Sequence, residues 1–177
     1  MGFMIGQATN LYKPVGERIL EKLHDYFGGE EGEFKAYFYG DPFAIPVSQL
    51  PCIIVDVDEE KQELGPTGMD RITTTLVIKV VLNKRDDYGG DTAISVTKKK
   101  LMTYMSARDA TTQQYLPETV MGIIRQYLTM NNELVNLTSD IKYGMLLRPG
   151  GTDVDTLTTE AQVTIETQEL IVISGRT

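Results

Sequence analysis

Leu11, Val15, Ile19, Leu23 and Phe27 recur at every fourth position, and Leu20 widens the stripe. Such spacing puts the apolar side chains on one face of a 3.6-residue turn, so it predicts an amphipathic helix from Leu11 to Phe27. Pro14 falls in its first turn, where a missing backbone donor does little harm, and Gly28-Gly29 stops it. Arg71 to Leu82 has a different period. Ile72, Thr74, Leu76, Ile78, Val80 and Leu82 alternate with Arg71, Thr73, Thr75 and Lys79, which predicts a strand with one apolar and one wet face. Two runs before it also read as strands, the aromatic-rich Phe34 to Tyr39 and the β-branched Pro51 to Val57.

A second helical block follows the turn Asp86-Asp87-Tyr88-Gly89-Gly90, with Asp91 as its N-cap. Ile94, Leu101, Tyr104 and Met105 form one stripe. After a break at Asp109 to Gln113, Leu116, Val120, Ile123, Ile124, Tyr127 and Leu128 form another, ended by Asn131-Asn132. Ile141 to Leu147 is a short strand, and Thr158 to Ile173 alternates through Ala161, Val163, Ile165, Thr167, Glu169, Ile171 and Ile173. At ~3.3 Å per residue that last strand would span ~50 Å. A compact chain of this length is about 40 Å across. The strand is therefore expected to bend or to reach outside its own subunit, and Glu169, on the otherwise apolar side, marks where the pattern changes face or leaves the core.

Glu59 to Asp70, EEKQELGPTGMD, is longer than the ~2–5 residues of an ordinary hairpin connection and is expected to project as a loop or hairpin arm. The order is helix, three strands, helical block, two strands. That is α+β, with helices packed on one face of a mainly antiparallel sheet, in a single domain over residues 1–177.

Composition narrows the function classes. The net charge is -8, from 25 acidic against 17 basic residues. A surface of that sign repels phosphate, which argues against binding along a DNA backbone. Lys98, Lys99 and Lys100 are consecutive, so on a helix they fan around the surface instead of forming a groove. Phe3, Met4 and Ile5 are too short a run for a signal-peptide core, and no stretch has the ~18 apolar residues of a membrane span. One cysteine, Cys52, forms no intrachain disulfide and reads as a buried apolar residue. The chain is expected to be made in a cytoplasm.

Chemistry-bearing motifs are sparse. Asp41, an apolar strand and Glu59-Glu60-Lys61 are the elements of a Mg²⁺-dependent nuclease, with Asp58 as a further carboxylate. The triplet falls beyond the expected strand end, however, whereas a rigid metal site wants it within the strand. Asp56 and Asp58 form a D-x-D pair on one strand face, which also suits carboxylates guarding a strand end. His24 lies mid-helix with no metal partner at ligand spacing and no serine elbow near it. The glycines of Gly28 to Glu33 are interleaved with carboxylates and follow no strand, so they form a connector and not a phosphate loop. No enzyme activity, cofactor or metal is assigned, and the nuclease is retained as an alternative of another class.

Three segments carry a resemblance: YFYGDPFAIPVSQLPCIIVD (Tyr37 to Asp56), ELGPTGMDRITTTLVIKVVLNKRDD (Glu63 to Asp87) and AQVTIETQELIV (Ala161 to Val172). In this order they resemble the tail-terminator and tail-completion proteins of tailed bacteriophages. The resemblance implies a non-catalytic α+β subunit of the virion, assembled in the bacterial cytoplasm into a ring, usually hexameric. Such a ring caps the head-proximal end of the tail tube and joins it to the neck, so its partners are the tail-tube protein and a neck or connector protein. DNA passes through the lumen without specific binding, and acidic charge serves that end. A neck or head-completion subunit is the alternative within the same class. Closing a ring requires a heterologous contact. Asp58, Glu59, Glu60, Lys61, Glu63, Leu64 and Glu169 are the candidate interface or lumen residues.

Overall fold

The computed structural model describes residues 12–65, 68–89, 96–130, 134–151 and 154–172. Phe3, Met4, Ile5, Leu11, Pro66, Gly90, Asp91, Ile94, Asn131, Asn132 and Ile173 lie outside the described residues, as does the side chain of Leu128. The elements are α1 (Val15–Tyr26), β1 (Ala36–Tyr39), β2 (Cys52–Leu64), β3 (Met69–Asn83), α2 (Val96–Ser106), α3 (Val120–Met130), β4 (Leu134–Arg148) and β5 (Thr156–Val172). The strands form one sheet in the order β1-β2-β3-β5-β4. Among the described residues only β1 and β2 run parallel and the other strand pairs are antiparallel, which makes the fold α+β with a mixed sheet.

All three helices share one core with a single face of the sheet. Val15, Ile19 and Leu23 of α1, Leu101 and Met105 of α2, and Val120, Met121, Ile123 and Ile124 of α3 pack with Ile53, Val55, Leu76, Ile78, Val80, Leu82, Ala161, Val163 and Ile165. Each is buried, and full burial of a side chain of this size stabilises by about 1.5–3 kcal/mol. The period-two alternation of β3 and the period-four stripe of α1 thus converge on one surface.

The opposite face is drier than its threonines and lysine suggest. The connection between β1 and β2 folds under it, and Ile45 and Leu50 bury against Cys52, Ile54 and Val81. Ile45 donates its backbone N–H to Pro149 O at 2.9 Å, which ties this connection to the end of β4.

Several boundaries differ from expectation. β2 continues to Leu64 where the sequence suggests an end at Val57, because Gly65 and Gly68 are the first residues that favour a turn; Gly68 takes φ 84°. β4 begins at Leu134 rather than Ile141. Thr138-Ser139-Asp140 imitates a turn, and the ladder does slip there, between Leu137 and Ile141, without ending the strand. Leu116 falls outside α3. Its N–H bonds to Ala107 O at 2.9 Å, and Thr119 caps the helix, accepting the Gly122 N–H at Oγ1 over 3.0 Å. Near the start of α2 the Asp87 carboxylate accepts from the Thr97 N–H at 2.8 Å and the Thr97 hydroxyl at 2.7 Å, while the expected N-cap, Asp91, lies outside the described residues.

Candidate functional site

Beyond the helix layer, β2, β3 and β5 continue as a three-stranded arm. β1 accompanies β2 only as far as Val55, and β4 reaches β5 only as far as Thr167. Glu59, Lys61 and Glu63 pair with Thr75, Thr73 and Arg71, and β3 stays in register with β5 to Val172 without a slip. The last strand therefore extends on a hairpin of its own subunit. Asp58 is the extra residue of a bulge between Val57 and Glu59. That bulge breaks the alternation that would set Asp56 and Asp58 on one face: Asp56 is half-buried and Asp58 exposed.

Asp58, Glu59, Glu60, Lys61, Glu63 and Leu64 come together on this arm, all exposed. Lys61 Nζ lies 3.3 Å from Glu59 Oε2 and Arg71 Nη1 lies 3.9 Å from Glu63 Oε2, surface pairs worth ~0–1 kcal/mol each. At the tip Leu64 is 90% exposed, with Leu170, Ile171 and Val172 also exposed on β5. Glu169 does not join them. It stays on the helix-facing side of β5, opposite Ile72, where Arg18 and the Tyr12 hydroxyl bond to its carboxylate. Its side chain is only 13% exposed. The polar residue in the apolar series thus marks the root of the arm and not a change of face.

The nuclease elements do not converge. Asp41 follows Gly40, whose N–H bonds to Val55 O, and Glu59 stands four residues beyond Val55 on β2, past the bulge at Asp58. The Asp41 carboxylate is already engaged. Arg148 Nη1 donates to it at 2.8 Å and Lys79 Nζ at 2.5 Å. Burial pushes this carboxyl up, but the hydrogen bonds and charges of Arg148 and Lys79 hold it below its ordinary value. Arg148 also grips Glu160, through Nε and through Nη2 to Oε2 at 3.0 Å, and the Thr158 hydroxyl donates to Glu160 at 2.8 Å. The result is a four-residue ionic network beneath the sheet. Sequence reasoning missed Arg148 and Glu160; an arginine beside Pro149-Gly150-Gly151 reads as loop, and only the turn of β4 into the sheet buries it.

Other candidates have structural occupations. His24 sits half-buried with its ring 4.7 Å from the Tyr37 ring. Cys52 is fully buried, and desolvation pushes its thiol up to about 12. Among the described residues no group of three or more His, Cys, Asp or Glu side chains is placed to hold a metal ion, and no helix is long and apolar enough to cross a membrane. An apolar cleft of ≈ 450 Å³ beside α1 and α2 is lined by Phe27, Phe34, Tyr104 and Leu116, with Glu33 and Glu118 at its margin. Glu33 is taken by the Tyr104 hydroxyl, and the three rings stack edge-on against one another.

Neither protein-family models nor curated proteins give a match to this chain.

Proposed function

We propose that this chain is a structural ring subunit of the phage tail-terminator type, closing the head-proximal end of a tail tube and joining it to the neck. The observation that carries the proposal is the arm. A hairpin and the end of a 17-residue strand leave the core together, acidic along β2 and apolar at the tip. A projecting element of this kind suits a heterologous contact in which one subunit lies on the next. The subunit is assigned no catalytic residue, cofactor or metal. Its partners are further copies of itself, the tail-tube protein and a neck protein, and the net charge of -8 suits a lumen that lets DNA through without holding it.

Light scattering on the purified protein, alone and with tail-tube protein, tests the proposal together with electron microscopy of tail ends. A ring, and its appearance at the head-proximal end, is the expected result. A strict monomer that never decorates tails would end the proposal, and a label on the connector side instead would make it a neck subunit.

A further inference from the structure

Two long stretches of sheet edge have no strand beside them among the described residues, and they are built from opposite materials. From Asp56 onward β2 runs without β1, and its outward edge carries Asp58, Glu59, Glu60, Lys61 and Glu63. Charges along an open edge discourage indiscriminate strand addition. The outer edge of β4, at the other end of the sheet, reads Lys142, Tyr143, Gly144, Met145, Leu146, Leu147. Met145 and Leu147 are 66% and 60% exposed, and Tyr143 and Leu146 are exposed beside them. Four large apolar side chains within five residues of open, proline-free edge form a surface that a lone soluble subunit would ordinarily protect.

The charge around this edge tells what fits it. Lys142 stands on the strand, and the ammonium of Lys98, on α2, lies 6.0 Å from the Tyr143 ring; Asp140 is the one carboxylate in the stretch from 140 to 148. The acidic β2 edge has the complementary sign, and it ends in Leu64, an apolar side chain with little cover of its own.

We propose that the outer edge of β4 is the seat of the hairpin arm of a second copy, the β2 edge of that arm lying along Lys142 to Leu147 as an added strand. Glu59, Glu60 and Glu63 of the arm then meet Lys142 and Lys98, and Leu64 covers the apolar run. The contact joins unlike surfaces, so each subunit gives an arm on one side and receives one on the other. A two-fold pairing of β4 with β4 would instead leave both arms unused. The choice of a head-to-tail over a two-fold contact rests on the ring proposed above.

The experiment is light scattering on wild type, on the edge variant Met145→Glu/Leu147→Glu, on the arm variant Glu59→Lys/Glu60→Lys, and on an equimolar mixture of the two variants. All changes are at exposed positions, and cooperative unfolding of each protein verifies its fold. Wild type is expected to oligomerise, and each variant alone to lose at least ~10-fold in self-affinity, which is ~1.4 kcal/mol. The mixture is expected to give dimers and stop there, since it offers one intact arm and one intact edge. Lys142→Glu serves as a second edge variant. It should weaken assembly in the wild-type background and restore it when combined with Glu59→Lys/Glu60→Lys. Rings that persist in both variants would overturn this interface and leave the ring itself standing. An arm variant that still associates while the edge variant does not would replace it with the two-fold pairing. A monomeric wild type would remove both the interface and the ring.

Discussion

Arg148 Nη1 donates to Asp41 Oδ1 at 2.8 Å across 107 residues of chain. The bond joins the start of the β1–β2 connection to the last residue of β4, and Lys79 and Glu160 complete the set from β3 and β5. Arg148 is buried, so two carboxylates depend on one guanidinium. Removing it by Arg148→Met should destabilise by about 3 kcal/mol, because Asp41 and Glu160 would keep their charge without their main partner. Chemical denaturation of the single variant, and of Arg148→Met/Asp41→Asn/Glu160→Gln, checks this. The triple variant should recover part of the loss, and an Arg148→Met protein as stable as wild type would refute the role.

The same network sets an acid limit. The Asp41 carboxyl lies below its ordinary value in the folded chain, so it binds its proton less readily folded than unfolded. Its contribution is therefore fully present above the unfolded value of about 3.9 and is lost as pH falls through the lower folded value. Denaturation midpoints between pH 5 and pH 2 should fall less steeply for Asp41→Asn than for wild type, and parallel curves would contradict the assignment.

Tyr37 offers a change in the other direction. Its hydroxyl is buried with no hydrogen-bond partner among the described residues, while its ring packs against His24. Tyr37→Phe keeps the ring and removes the orphaned group, so it should stabilise by about 1 kcal/mol, raising Tm by ~2–4 °C. A lowered Tm would show that the hydroxyl has a partner in solution.

What could be read from the sequence and what could not divide along physical lines. β3 and α1 were legible because burial on one side imposes a period, and Ile72 to Leu82 and Val15 to Leu23 obey it. The arm was legible as a projection but not as paired strands. Glu59 to Leu64 carry no apolar alternation, because the arm has no helix layer over it, and only the ladder to Thr75 through Asp70 makes them a strand. The Arg148 network was invisible because its members come from four separate segments. Glu169 stands out in the sequence as a charge in an apolar series, but its partner, Arg18, lies on the first helix.

Gly122 shows a constraint of close approach. A Cβ there would stand 2.0 Å from the Leu116 carbonyl oxygen, and backbone cannot yield as a side chain would. Gly122→Ala should therefore disrupt the Leu116–Thr119 cap and lower stability by more than the ~1 kcal/mol that alanine normally gains over glycine within a helix. Thermal unfolding decides it, and a stabilised variant would show that the segment before α3 can move away.

The root of the arm is the last point at which stability and assembly separate. Arg18 and Tyr12 hold Glu169 from the helix layer, and beyond Glu169 the described residues of the arm hold to one another, through the ladder, the Gln62–Asp70 hydrogen bond and the Arg71–Glu63 pair, with exposed apolar side chains at the tip. Replacing Glu169 by Gln keeps the size of the side chain and removes the charge that Arg18 faces. Because the pair is mostly buried at the edge of the core, the cost should be about 1.5–3 kcal/mol, the range for a hydrogen bond to a charged group. The loosening should be local. Backbone hydrogen exchange is expected to speed up at 168–172 and at the paired residues Met69 to Thr73, while Leu76 to Val81, under the helices, keep their protection. If the arm must be ordered before it docks, self-association should weaken in Glu169→Gln although no residue of the proposed contact has changed. Unaltered exchange at 168–172 would mean that the ladder alone orders the arm, and the Arg18–Glu169 pair would then be only an edge of the core.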